Sequence, residues 1–281
     1  MTSSLFSQLS RRSVLLSATG GAVIAAAAPL IAVEAQAAVM VGSFDATKIR
    51  ALAFDMQGSV LDYYTPLMQA GARINKAKGL TLDWAAISSD WRDTYHDIMV
   101  PVLAHKEPYV PTDKVYRRGL DTVLDKHGVS AKFTPEERDA LSAVWGQMVP
   151  WPDSREGLRR LRRRYMLSTL SNSGMATVAK MVKHGNLPFD VILTGELAQN
   201  YKPDPAVYQL PVDKLGYAKS EIMMCACHKY DLKAAKEFGF STAFWPRPAE
   251  FGPATVVDDK PETYIDIRAK NLTDLATKLG L

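Results

Sequence analysis

The chain has 281 residues, 47% of them hydrophobic and 23% charged, with a formal net charge of +4. That apolar content supports a sizeable buried core and excludes a disordered chain. The positive charge comes largely from Arg11, Arg12 and an arginine cluster at 159–164. With no interleaved aromatics and no reader motif, it argues against a nucleic-acid partner.

Residues 1–37 read as an export signal. Ser10-Arg11-Arg12-Ser13-Val14-Leu15-Leu16 sets paired arginines before an apolar stretch, and Ala35-Gln36-Ala37 offers a small-residue cleavage site. The pattern resembles a twin-arginine signal, which implies a periplasmic protein with no stable membrane association after cleavage. An uncleaved anchor over 14–33 is the competing reading, weakened by Ser17, Gly20, Gly21 and the run of alanines.

Short apolar runs then alternate with longer amphipathic stretches, the pattern of an α/β domain with a parallel sheet. Strands are predicted at 50–54, 166–170, 191–194, 222–225 and 242–245. The long stretch between the first two far exceeds one crossover connection, so it is expected to be an inserted domain. Within it, helical apolar spacing covers 64–78, 83–103, 112–127 and 135–147. Pro150-Trp151-Pro152-Asp153 marks the return to the core, because proline disfavours helix and the next residues start a new one. The expected organisation is an α/β core over 38–62 and 150–281 with five or more parallel strands, and a helical cap over 63–149.

Ligands of open parallel sheets gather outside the carboxyl ends of the strands. The first predicted strand ends in Phe54-Asp55-Met56-Gln57-Gly58-Ser59, the second in Leu170-Ser171-Asn172-Ser173-Gly174, and the fourth runs into Cys227-His228-Lys229-Tyr230-Asp231. Tyr201-Lys202-Pro203-Asp204-Pro205 precedes the fourth. A lysine near two carboxylates keeps both ionised, whereas bare carboxylates compete for one proton. Lys202 is therefore expected to partner Asp55 and Asp231. An isolated Asp-x-x-Gly is more often a turn than a nucleophile, so the ordered set carries the inference.

In order and spacing these segments resemble the haloacid dehalogenase superfamily over nearly all of the mature chain. Asp55 with Gly58, Ser59 and Asp62 is similar to its first motif, Ser171 to its second, Lys202 to its third and Asp231 to its fourth. The resemblance implies a Rossmann-like core, with a carboxylate nucleophile at Asp55 on a first strand adjacent to the fourth.

Most members of that superfamily transfer phosphoryl groups, and two positions argue against it here. The phosphatases use an aspartate two residues after the nucleophile as a proton donor. This chain has Gln57. They also bind Mg²⁺ through a fourth-motif carboxylate. This chain has Cys227. A halide leaves without protonation, so an activated carboxylate and a place for halide charge suffice. The chain further resembles type II L-2-haloacid dehalogenases in Trp91-Arg92, Leu170-Ser171-Asn172 and Lys202-Pro203-Asp204 with Tyr208. The resemblance implies that Arg92 receives halide, that Ser59, Ser171 and Asn172 hold the substrate carboxylate, and that Tyr208 lines the site. It also implies that Asp231 positions Lys202 and the hydrolytic water. No metal and no cofactor is expected.

The fourth motif departs from the family, which usually has serine and asparagine where this chain has Ala226 and His228. His228 is expected either to activate water, being near its working pKa at neutral pH, or to fill the asparagine's hydrogen-bonding place. The partner expected is a small halogenated carboxylate, with a homodimer as the family tendency. The competing readings are a related hydrolase opening a strained ring beside a carboxylate, a Mg²⁺-dependent phosphatase, and an inactive exported binding protein.

Overall fold

The computed structural model describes residues 44–253, 255 and 257–281. The export signal expected over 1–37 lies outside the described residues. Among these, no helix is long and apolar enough to cross a membrane.

The core is a five-stranded sheet in the order β4-β1-β5-β6-β7, built from β1 (Ala51–Phe54), β4 (Met166–Thr169), β5 (Ile222–Ala226), β6 (Ser241–Phe244) and β7 (Ile267–Arg268). Every pairing is parallel. Strand β1 lies inside the sheet and is buried throughout, which explains its unbroken apolar sequence: a strand covered on both faces has no reason to alternate. Its side chains still divide by the two-residue period. Leu52 and Phe54 join one hydrophobic cluster with Met223 and Cys225, while Ala51 and Ala53 join another with Ile222, Met224 and Phe240. In register, Phe54 pairs with Thr169 on one side and Cys225 on the other. The loops after all three strands therefore emerge side by side.

The sheet differs from expectation at both edges. Residues 191–194 form no regular strand; Val191 bridges Ser168 and Thr194 bridges Ser171 as isolated pairs. The ladder is interrupted because the Thr169 hydroxyl takes both backbone groups of Leu193, donating to its carbonyl at 2.8 Å and accepting from its N–H at 3.0 Å. The Asp190 carboxylate likewise accepts from Leu167 N at 2.9 Å. At the other edge, β7 is a two-residue strand whose sequence carries too short a pattern to signal itself.

Between β2 (Leu61–Asp62) and β3 (Val149–Pro150), which pair antiparallel, run α1 (Tyr64–Lys78), α2 (Trp84–Leu103), α3 (Thr112–Lys126) and α4 (Pro135–Ser142). Asp83 caps α2 by accepting from Ala85 N and Ala86 N, and Thr134 with Glu137 closes a capping box on α4. Helix α4 stops earlier than its apolar spacing suggests, and residues 143–146 tighten into a 3₁₀ turn. That turn seats Trp145 against Tyr116, with ring centroids 4.3 Å apart, and against Trp91 at 5.4 Å. The Trp91 indole N–H donates to Tyr116 O at 2.8 Å, so a fully buried tryptophan leaves no donor unpaired.

Five further helices complete the core: α5 (Ser154–Leu161), α6 (Met175–Gly185), α7 (Pro205–Leu215), α8 (Lys229–Phe238) and α9 (Leu272–Lys278). The arginine cluster does not simply wrap a solvated helix face, because α5 ends at Leu161. Arg160 hydrogen-bonds Thr277 Oγ1 and Thr273 O, Arg162 pairs with Asp190 at 2.7 Å, and Arg164 donates to Leu279 O. These arginines tie the chain's last helix and the loop beside β4 to α5.

Candidate active site

Asp55 is the first residue beyond β1, and its backbone N–H continues the ladder to Cys225 O. Its side chain is nearly buried and both oxygens are held. Lys202 Nζ donates to Oδ1 at 2.9 Å, while Ser59 Oγ at 2.6 Å and His228 Nδ1 at 2.9 Å contact Oδ2. Lys202 reaches on to Asp231 Oδ2 at 2.5 Å, and Tyr208 Oη donates to Asp231 Oδ1 at 2.7 Å.

Each of these side chains is placed by local backbone. Asp231 lies in the first turn of α8, where the helix dipole favours a carboxylate. Lys202 sits in the loop before α7, gripped by Asn172, whose Oδ1 accepts from Lys202 N at 2.7 Å. Ser171 Oγ accepts from Ser173 N at 3.1 Å, which leaves its hydroxyl proton available. The turn carrying Ser59 is fastened from behind, because Arg247 donates to Ser59 O at 2.9 Å and is held bidentately by Asp153.

The two carboxylates flanking Lys202 are electrostatically unequal. Burial alone would raise the pKa of Asp55, but the Lys202 ammonium and the hydrogen bonds from His228 and Ser59 outweigh it and hold the carboxyl well below its usual range. Asp231 has no exposure and fewer donors, and burial with the neighbouring Asp55 charge pushes its pKa up despite Lys202. Burial works against the Lys202 charge too, yet Asp231 and Asp55 keep it firmly protonated. Asp55 is thus the more readily ionised of the two, and its Oδ1 takes a single hydrogen bond, from Lys202.

His228 precedes α8 and lies between two carboxylates. Its Nδ1 meets Asp55 Oδ2, and its Nε2 meets Glu250 Oε1 at 2.8 Å. A carboxylate only accepts, so both ring nitrogens must carry protons to satisfy both contacts. The electrostatics agree: burial opposes the charge, but Cys227, Glu250 and Asp55 raise the His228 pKa well above its ordinary value. This corrects the expectation of a histidine titrating near neutrality. In the resting site it is an imidazolium and holds no lone pair with which to take a proton from water.

Glu250 lies in the loop after β6 and is absent from the residues picked out along the sequence. Its Oε1 is also 3.8 Å from Arg92 NH1. The Arg92 guanidinium, on α2, rests in the corner made by the rings of Tyr63 and Phe251, which stand edge to face, at 4.8 Å and 4.6 Å from their centroids. Glu250 lies where only glycine leaves room: a Cβ on Gly58 would come within 2.3 Å of Glu250 Oε1, and Gly58 has φ +77°. Gly58→Ala should therefore destabilise the protein by about 1–3 kcal/mol and displace the carboxylate. Denaturant unfolding checks the first effect; a midpoint equal to wild type would refute it.

Gln57 turns away from the carboxylates. Its Oε1 accepts from Tyr116 Oη at 2.7 Å, and its Nε2 is buried without a partner among the described residues. The Tyr63 hydroxyl is likewise buried and unpartnered there. Both are polar groups with capacity to spare beside Arg92's aromatic clamp, a setting that suits a bound anion.

The residues of the first, second, third and fourth motifs do converge, as their strand-end positions predict. Three residues depart from the expected arrangement. Tyr208 is 1% exposed and stands behind Asp231 instead of lining the site. Asp231, with both oxygens engaged and no exposure, acts on the site through Lys202 and does not face a water of its own. Asn172 is spent largely on the Lys202 backbone. Glu250 carries no motif, yet one signal pointed toward it: its loop follows β6, and so leaves the same carboxyl edge of the sheet.

The donor set does not fit Mg²⁺. Among the described residues, Cys227, His228 and Glu250 bring a sulfur, a ring nitrogen and a carboxylate oxygen within 4.8 Å of one another. A hard cation needs oxygen ligands, both nitrogens of His228 are already engaged, and Arg92 opposes a cation beside Glu250. Cys225 and Cys227 are free thiols.

Residues 111–245 match the family model described as haloacid dehalogenase-like hydrolase. Over 243 residues the chain is 26% identical to an (S)-2-haloacid dehalogenase 4A of Burkholderia cepacia, covering 81% of this chain and 98% of that protein. Over 234 residues it is 25% identical to an (S)-2-haloacid dehalogenase of Pseudomonas putida, covering 82% and 96%. Among solved structures, a defluorinating L-2-haloacid dehalogenase superposes with a TM-score of 0.79 at 35% identity, over 83% of this chain and 96% of the other. A second L-2-haloacid dehalogenase does so with a TM-score of 0.78 at 32% identity, over 83% and 99%.

Proposed function

The chain belongs to the haloacid dehalogenase-like hydrolases, and we propose that it hydrolyses short 2-haloalkanoic acids to 2-hydroxy acids through an ester on Asp55. The observation that carries this reading is a buried carboxylate held ionised by Lys202 at 2.9 Å, with Gln57 where a phosphatase needs a proton donor. Such a nucleophile is strong enough to displace a good leaving group, and Gln57 supplies no proton for a poor one.

The Asp55 carboxylate attacks Cα of the substrate and expels halide; the new C–O bond forms opposite the breaking carbon–halogen bond, so the configuration at Cα inverts. The substrate carboxylate is held by the Ser171 hydroxyl and backbone amides of the turn carrying Ser59, in which the Gly58 N–H is itself taken by Leu61 O. Halide departs toward Arg92, whose guanidinium is weakly hydrated and packed against two aromatic rings. Charge balance supports the order of events. Lys202, His228 and Arg92 offset Asp55, Asp231 and Glu250 in the free site. Once Asp55 is esterified the site is left one positive charge in excess, beside the negative substrate carboxylate.

Free halide measured by ion chromatography over a panel of short L- and D-2-haloacids tests the reading; no halide from any member would sink it. Within it, Arg92→Gln should lower kcat/KM for L-2-chloropropionate by about 10²–10³-fold, the usual loss when a preorganised group for developing charge is removed. Unchanged halide release would take Arg92 out of the reaction.

The same reading includes export. Arg11 and Arg12 before an apolar stretch, with Ala35-Gln36-Ala37 following, support delivery to the periplasm by the twin-arginine route. Residues 1–37 fused to a reporter should be exported, and replacing both arginines by lysine should stop it.

A further inference from the structure

We infer that His228 and Ser59 form the oxyanion hole for hydrolysis of the Asp55 ester, and that Glu250 is the positioning residue that holds His228 there. This rests on the covalent route proposed above and assigns the machinery of its second half.

The two oxygens of Asp55 are not equivalent. Oδ2 receives Ser59 Oγ at 2.6 Å and His228 Nδ1 at 2.9 Å, so both of its lone pairs are occupied. Oδ1 receives only Lys202 at 2.9 Å. The lone pair free to attack carbon belongs to Oδ1, and Oδ2 becomes the carbonyl oxygen of the ester. The direction of the Ser59 hydrogen bond follows from the ionised carboxylate, which only accepts; Ser59 Oγ itself accepts from Cys227 N at 2.9 Å, and the other acceptor near its proton, Cys227 Sγ, is a weak one at 3.3 Å. The ring of His228 lies between two groups that only accept, so it presents N–H to Oδ2 and to Glu250 alike. Two preformed donors thus already point at the atom on which charge must appear.

The step balances as follows. Water adds to Cγ of Asp55, and the electron pair of the C=O bond moves onto Oδ2, where Ser59 O–H and His228 N–H stabilise it. The pair returns to remake the carbonyl, and the Cγ–Oδ1 bond breaks. Oδ1 departs with the substrate as its hydroxyl oxygen, taking one proton of the added water. The carboxylic acid left on Asp55 releases the other proton and returns to carboxylate.

Glu250 contributes at one remove. It does not touch Asp55; its Oε1 fixes Nε2 of His228 and its charge favours the imidazolium. This arrangement is particular to a chain with His228 at this position, because asparagine has no second nitrogen that reaches the loop after β6.

Single-turnover and burst kinetics on L-2-chloropropionate separate the two halves of the reaction, with the ester detected by intact-protein mass. In Glu250→Gln the amide can still donate to Nε2, so His228 keeps its place but loses its charge. His228→Ala removes the donor altogether. Both variants should release a burst of halide approaching one equivalent per site, with the burst rate within about tenfold of wild type. The steady state should then fall, by about 10²–10³-fold for His228→Ala and by less for Glu250→Gln, with the protein accumulating as its ester. Steady-state rates equal to wild type would overturn the assignment. So would a slowed reaction with no burst and no adduct, since the residues would then serve the first step or only the fold. If His228→Ala does not fold, Glu250→Gln decides by itself. A wild-type enzyme that releases no halide would instead refute the covalent dehalogenation on which the assignment depends.

Discussion

Asp55→Asn should lower halide release by at least about 10⁴-fold, because removal of a covalent nucleophile leaves only the binding and electrostatic remainder of catalysis. The substitution is nearly isosteric, so the effect is chemical. The amide still accepts through its oxygen, but its nitrogen has no lone pair with which to attack carbon, and its two N–H groups face the Lys202 ammonium or the His228 ring. The charge left behind is tolerable: Lys202 retains Asp231, and His228 retains Glu250. Circular dichroism should therefore match wild type while ion chromatography finds no halide. Turnover comparable to wild type would show that water attacks substrate directly and would remove Asp55 from the centre of the mechanism.

Lys202→Met should have the next largest effect, on activity and stability together. Methionine fills the lysine's space without its charge, so Asp55 and Asp231 would face each other as buried carboxylates with nothing between them. One must then take up a proton. Removing one partner from a buried pair typically costs about 3–5 kcal/mol, and proton uptake recovers part of that. The sign of the pH dependence follows from Lys202's present role. It depresses the Asp55 pKa, so the wild-type nucleophile stays ionised through the ordinary carboxylate range. Without it the Asp55 pKa rises, and residual activity should climb as pH increases past the new value, where wild type is flat. Stopped-flow halide release across pH checks this. A pH profile superimposable on wild type would mean that Lys202 does not control the ionisation of Asp55.

Several features of the site were legible from the chain because they obey one geometric rule. Parallel strands bring their carboxyl ends to one edge, so Asp55 after β1, Ser171 after β4 and Asp231 after β5 could be placed together before any coordinates. Lys202 followed from charge, since two carboxylates at that edge require a cation. The interruption at Leu193 was not legible, because threonine is a good strand residue and nothing in its neighbourhood announces that its hydroxyl will replace the ladder. Nor was the placement of Tyr208: an aromatic on a helix near a site has the same pattern whether it faces substrate or stands behind a carboxylate.

His228 shows the boundary most sharply. Its sequence position placed it in the fourth motif, and its residue type allowed a group that activates water or a hydrogen-bond filler. Which of these it is depends on what lies at each ring nitrogen, and one of those partners is Glu250, on a loop more than twenty residues away along the chain and given room only because Gly58 has no side chain. The amino-acid sequence by itself determined the α/β class, the carboxylate at the end of the first strand, its lysine, and the lack of the acid and metal-binding residues that phosphate chemistry needs. These are written in residue identity at strand ends and in hydrophobic period, both of which are local. Only the tertiary structure decided the protonation of His228, the inequality of the two Asp55 oxygens, the clamp around Arg92 and the entry of Glu250. Those properties are set by distance and burial among groups far apart in sequence, and electrostatic interactions between them take their strength from the folded interior alone.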